Sequence, residues 1–130
     1  MEADELIRLP DPRRNVRVEV REVVRDVFEK PHVFVRVKLT GWFFPGRALE
    51  PFALVGDVVS RFVVIGPDST SASAYFDRPL PHARRVSFGY GNIILWDFDL
   101  EIDVRKVHRL DRQRLPKGLV DPFREGLRPD

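Results

Sequence analysis

The chain has no cysteine, a single methionine and no unbroken apolar run longer than four residues, such as Phe62 to Ile65 or Ile93 to Trp96. The missing cysteines exclude disulfide frameworks, cysteine-based zinc sites and thiol catalysis. The short runs exclude a membrane-spanning helix, which needs roughly 20 consecutive apolar residues. A dominant charge is lacking too: 22 Lys+Arg face 20 Asp+Glu, for a formal net charge of +2. Such a chain is neither a strongly basic nucleic-acid binder nor a self-repelling disordered polymer. The start, Met1-Glu2-Ala3-Asp4-Glu5, is acidic where a secretory signal is basic, and Arg8 interrupts Leu6-Ile7 before an apolar stretch develops. A cytoplasmic location without membrane attachment is the expectation.

What the chain does have is alternation. A length of 130 residues with 43% hydrophobic residues suits one domain, burying roughly two thirds of its unfolded surface. From Asn15 to Glu22, Val16, Val18 and Val20 alternate with Arg17, Glu19 and Arg21. From His32 to Thr40, Val33, Val35, Val37 and Leu39 face one way, and Phe34, Arg36, Lys38 and Thr40 the other. Phe52 to Val55, Val58 to Ile65 and Thr70 to Phe76 read as further strands, with Gly66-Pro67-Asp68-Ser69 as a turn whose proline is pre-set at the second position. Arg84 to Gly89 and Ile93 to Val104 form a closing pair around Gly89-Tyr90-Gly91-Asn92. About seven strands at this spacing predict an all-β, antiparallel β-sandwich over residues 15–104. Residues 1–14 and 105–130 read as short irregular arms, the second basic with eight Lys+Arg against four Asp+Glu.

Chemistry-bearing patterns are sparse. His32, His82 and His108 belong to no ligand or triad motif, and Ser69-Thr70-Ser71 is more economically a polar hairpin end. Gly89-Tyr90-Gly91 is too short for a phosphate loop and leads into a strand. In Trp96 to Val104, five apolar side chains point inward while Asp97, Asp99, Glu101 and Asp103 form an outward acidic row. Carboxylates two positions apart on a strand stand about 6.5–7 Å from one another, too flat to encircle a cation without help from a bulge or from Asp57 or Asp68. Relief of the row by Arg17, Arg21, Arg36 and Lys38 on a neighbouring strand is expected instead. No catalytic residue, cofactor or metal ligand is assigned, and no enzymatic activity is expected.

Thr40-Gly41-Trp42-Phe43-Phe44-Pro45-Gly46 is more informative, because three consecutive aromatics cannot all point to one side of a strand. Trp42 and Phe44 suit the core with Phe43 covered locally; with Phe34 and Phe43 both outward and uncovered, they would share an apolar association patch.

The run Val37 to Phe44, followed by Phe52-Ala53-Leu54-Val55-Gly56-Asp57, Arg61 to Ile65, Ser71 to Phe76 and the closing hairpin, resembles immunoglobulin-like TIG domains over about residues 33–104. The resemblance implies an immunoglobulin-like sandwich without catalysis of its own, used for packing against other domains or partners. Departures from it are the charged first strand, the loop Pro45 to Pro51 and the long basic arm.

The arm offers a competing idea, since Arg105 to Lys117 holds six Lys+Arg against one acid, a composition that attracts phosphate backbones. Residues 1–104, with 14 Lys+Arg against 16 Asp+Glu, would not reinforce that attraction; an arm lying on the acids of its own domain or of a second copy explains the asymmetry as well. The expected function is a non-catalytic interaction or assembly module for a protein partner or itself. Phe34, Trp42 and Phe43 would anchor it, with Arg36, Lys38, Arg105, Arg109 and Arg112 steering charge. Weak nucleic-acid binding by the arm, and a small-ligand carrier or enzyme with a site between the sheets, are the alternatives.

Overall fold

A computed structural model describes residues 16–46, 49–110, 115 and 117–122; the N-terminal arm lies outside them. Eight strands run β1 (Arg17–Val27), β2 (Lys30–Thr40), β3 (Pro51–Val55), β4 (Val58–Val59), β5 (Phe62–Ile65), β6 (Ser71–Phe76), β7 (Val86–Tyr90) and β8 (Ile93–Phe98). They form two four-stranded antiparallel sheets, sheet A in the order β1-β2-β6-β5 and sheet B in the order β4-β3-β7-β8. Alternation places Val35, Val37 and Leu39 of β2 and Ala72, Ala74 and Phe76 of β6 against Ala53, Val55, Val86, Phe88, Tyr90 and Phe98 of sheet B, in one continuous core. The all-β sandwich expected from the period-2 pattern is what the chain forms.

The crossing from sheet A to sheet B is held by aromatic rings. Past Thr40, Trp42 and Phe44 turn inward while Phe43 stays 64% exposed. The Phe44 ring meets Phe88, Trp96 and Phe98 at centroid distances of 4.9, 6.1 and 6.2 Å, and Trp42 meets Trp96 and Phe98 edge-on. Its backbone is tied as well: Phe44 N donates to Ser69 O, and the Tyr90 hydroxyl donates to Pro45 O.

Two segments expected to be single strands are divided. Val58 to Ile65 breaks at Ser60: Ser60 N donates to Ala53 O and Ser60 Oγ accepts from Ala53 N, both in sheet B. One residue later Arg61 N donates to Tyr75 O in sheet A, so β4 and β5 lie in different sheets. Ile93 to Val104 leaves the ladder after Phe98, where Leu100 N donates back to Phe98 O. Side-chain alternation survives the break, with Leu100 and Ile102 on the core and Ile102 bridging Ala83, but Val104 begins a 3₁₀ turn (Val104–Lys106) instead of adding a fifth inward residue. In the closing hairpin Gly91, at φ +65°, takes the left-handed turn position. Gly89 serves a bulge instead, where an added Cβ would sit 2.0 Å from Ile93 O.

The arm after the 3₁₀ turn is not irregular throughout. His108 forms a parallel bridge beside Arg21 on the free edge of β1, with Glu22 N donating to His108 O at 2.8 Å. Val120 bridges His32 of β2, where β6 no longer reaches. The segment thus straps the β1–β2 hairpin from both sides.

That hairpin turns through two residues, Phe28 and Glu29, both left-handed at φ +50° and +67°. Such a turn favours Asn-Gly, and a bulky side chain with positive φ costs on the order of 1 kcal/mol. The double substitution Phe28→Asn, Glu29→Gly should raise the denaturant midpoint, by an amount equivalent to about 1–2 kcal/mol. Phe44→Ala should cost about 3–5 kcal/mol in the same urea titration, because it leaves a cavity bordered by three rings.

Candidate interaction surfaces

The inward-facing pattern leaves two outer faces of different chemistry. On sheet A, the outward residues of β1 and β2 are Arg17, Glu19, Arg21, Arg25, Arg36 and Lys38, with Val23 and Phe34 between the charges. On sheet B they are mostly apolar: Val59 stands opposite Leu54 in a row that ends in Ser87 and Asp97, and Phe52 lies opposite Gly89, which faces Ile94. Along this sheet and its β8 edge, Val59, Ile93, Ile94 and Leu95 are 40–57% exposed. Gly89 has no side chain, and the backbone of Ile93 and Ile94 closes over the position a Cβ would take. Leu49 packs beside Gly91 at the same end and is also exposed.

The residues proposed from sequence as one association patch are not brought together on the surface. Phe34 does face outward from β2, but it is fully buried: Phe62 and Tyr75 pack edge-on against it at 5.5 and 5.9 Å, and His32 stacks at 6.0 Å. Trp42 is 8% exposed because it fills the crossing. Phe43 alone of the three presents its ring to solvent, contrary to the expectation that it is covered locally. Arg36 is half-buried and donates to Glu19 at 2.6 Å. Arg105 pairs with Asp103, Arg109 approaches the buried Glu22 at 3.9 Å, and Arg112 lies outside the described residues. Sequence periodicity missed Ile93, Ile94 and Leu95 as surface residues because an unbroken apolar run reads as a buried strand.

The acidic row is relieved locally, not by Arg17, Arg21, Arg36 and Lys38, which occupy the other sheet. Asp97 accepts from the Ser87 hydroxyl at 2.5 Å, and Glu101 stands 3.7 Å from His82. Asp103 caps the 3₁₀ turn by accepting from Arg105 N and Nε. The Arg105 side chain, then its backbone N–H, holds the Asp103 carboxyl below its ordinary range. Asp68 is lowered likewise by the Thr70 backbone N–H and hydroxyl at the β5–β6 turn. Asp103 is therefore charged, and the cap fully formed, above the usual aspartate range; it weakens only as pH falls through the lower folded value. Among the described residues no group of three His, Asp or Glu is placed to hold a metal ion.

Three concavities open among the described residues, one of about 250 Å³ between β1 and the 3₁₀ turn among Glu19, Glu101, Asp103, Lys106 and His108. An open cleft of about 590 Å³ lies among Gly56, Ala83, Arg84, Arg85, Ser87 and Asp99. A smaller one of about 190 Å³ sits under the strap between Val35, Leu80, Val104, Val107, Glu22 and Arg109. Glu22 explains the strap's attachment. It points inward from β1 opposite Val35, is 3% exposed, and accepts from Leu110 N at 3.1 Å. A carboxylate buried this deeply needs such partners, and the strap supplies them.

Comparison of the chain with family models, curated proteins and solved structures gives no match. Glu22→Ala strands the Leu110 N–H and should lower stability by about 1–3 kcal/mol. Amide hydrogen exchange is expected to quicken at Leu110 and His108 and to stay unchanged in β7 and β8; uniform acceleration would count against a local latch.

Proposed function

We propose that the chain is a non-catalytic interaction module of immunoglobulin-like architecture, engaging a protein partner or a second copy through the uncovered side of sheet B. The carrying observation is the run Ile93-Ile94-Leu95, exposed on the edge strand β8 with Phe52 in the same row across Gly89, on a face that no other described element covers. Exposed contiguous apolar surface of this kind marks association sites, and an unpaired strand edge offers backbone groups to an incoming segment. The immunoglobulin-like reading is supported by strand order: β1-β2-β6-β5 corresponds to A-B-E-D, and β3-β7-β8 to C-F-G, with β4 added beside C. Phe43 adds an exposed ring at the crossing between the sheets, next to Trp42, which packs on Trp96 and Phe98 of β8; Phe34 lies on the outer face of sheet A and has no part in this surface. Arg105 and Arg109, lying against Asp103 and Glu22 of their own chain, favour a strap over a free nucleic-acid-binding arm.

The test is site-specific photo-crosslinking in living cells, with a benzophenone side chain at position 94 on sheet B or at position 73 on the outer face of sheet A. Discrete adducts from position 94, absent or weaker from position 73, are expected. Adducts from neither position, or equal labelling from both, would remove sheet B as the binding side.

A further inference from the structure

The near-neutral composition of residues 1–104 conceals a segregation of charge. Outward from sheet A point five cations, Arg17, Arg21, Arg25, Arg36 and Lys38, against Glu19 on the same two strands. Of the acidic row, Asp97 is on β8 of sheet B, while Glu101 and Asp103 come to the β1 edge beside Val18 and Val20, where His82 and Arg105 pair with them. Arg21 and Arg36 stand directly opposite each other in the β1–β2 register, a like-charge pair that destabilises the ladder unless an anion sits over it. Glu19 relieves Arg36, yet the buried Arg36 Nε has no hydrogen-bond partner. No carboxylate among the described residues lies within ion-pair distance of Arg17, Arg21 or Lys38. Hydroxyls continue the face: Thr40 is flanked by Arg17 and Ser71, and Lys38 lies opposite Ser73. Donors are therefore spaced at about 4.8 Å between strands and about 6.5–7 Å along them.

We propose that this outer face of sheet A binds the phosphodiester backbone of a nucleic acid, with Arg17, Arg21, Arg36 and Lys38 on phosphate oxygens and Thr40, Ser71 and Ser73 as auxiliary donors. Binding is independent of base sequence. Phe34 and Tyr75 are 0% and 4% exposed, and Arg25 is held over Tyr75, donating to its hydroxyl at 3.0 Å, so no exposed ring pair offers a stacking platform there. An anionic membrane is disfavoured because stable attachment needs a substantial apolar anchor beside the cations, and Val64, 40% exposed opposite Ser73, is a single short side chain. The acidic side of a second copy is disfavoured because Asp97, Glu101 and Asp103 are already engaged by Ser87, His82 and Arg105.

Fluorescence anisotropy of the full chain with labelled 20-nucleotide single-stranded DNA, the matching RNA and a duplex tests the proposal. With four phosphate contacts to a single strand, affinity should fall about fiftyfold between 50 and 200 mM salt. Arg21→Gln with Lys38→Gln should roughly halve the salt slope and weaken binding at 50 mM by about tenfold or more. Lys106→Gln with Lys117→Gln, on the strap, should change neither. The Arg21→Gln melting temperature is expected to be unchanged or higher, because a like-charge pair is removed, so weakened binding would not come from unfolding. The proposal fails if no oligonucleotide binds at 50 mM salt, if the sheet-face variant binds as wild type does, or if only the strap variant loses affinity. It fails equally if anionic phospholipid vesicles bind more tightly than the oligonucleotides, or if the same face mediates a salt-sensitive dimer in light scattering.

Discussion

The burial of Phe44 between the sheets is the contact on which the remaining architecture depends. A strand in sheet A and a strand in sheet B share no ladder hydrogen bonds, so only side-chain packing fixes their separation and relative position. Phe44 sits on the segment that joins them and meets three rings of sheet B, while its own N–H reaches Ser69 at the β5–β6 turn. One residue thus ties the crossing, the far hairpin and the closing strand pair. Trp42 adds a second ring two positions earlier, and that spacing leaves Phe43 facing water.

Because the core uses one side of each strand, the two outer faces are free to differ, and they do. On β1 and β2 the same alternation that supplies Val18, Val20, Val35 and Val37 to the interior displays Arg17, Arg21, Arg36 and Lys38 outside. On β3 and β8 it displays Phe52, Leu54 and Ile94. Edge control differs as well. The strap occupies the β1 edge through His108, whereas no described segment pairs with the outer edge of β8, where Ile93 and Leu95 are exposed. A charged face and closed edge resist sheet-to-sheet association, while an apolar face and open edge invite it.

The sandwich was legible in the sequence wherever one face of a strand is wet, since Val33 to Thr40 can adopt its period in only one orientation. It was less legible where structure depends on a single backbone bond. Nothing in Val58 to Ile65 announces that Ser60 closes onto Ala53 while Arg61 moves to Tyr75, because both halves are β-branched and equally suited to either sheet. The Phe28-Glu29 turn lacks the residues its dihedral angles prefer, so the strand pattern on either side had to carry the hairpin. The strap was hidden for a related reason: its attachment rests on backbone groups of His108, Leu110 and Val120 and on one inward acid, Glu22, that alternation marks as a core position without naming its partner. Phe34 shows the limit from the other side, outward by register as the period requires, yet covered by rings from β5 and β6 that only tertiary pairing brings near.

Charge is where sequence and structure part most usefully. Summed along the chain, acids and bases nearly cancel, and a sum carries no information about placement. Strand register converts that sum into a pattern, since each β1 residue is assigned one neighbour on β2, and Arg21 receives Arg36. An opposing acid at either position would remove the repulsion at little cost to the core, because neither side chain points inward. Glu19, one outward step along β1, already provides such relief for Arg36 and stands opposite Lys38, so the strand pair accommodates acids readily. The concentration of cations here is therefore not imposed by the sandwich. It is a property of the surface alone, and its physical consequence is a positive field over the outer face of sheet A.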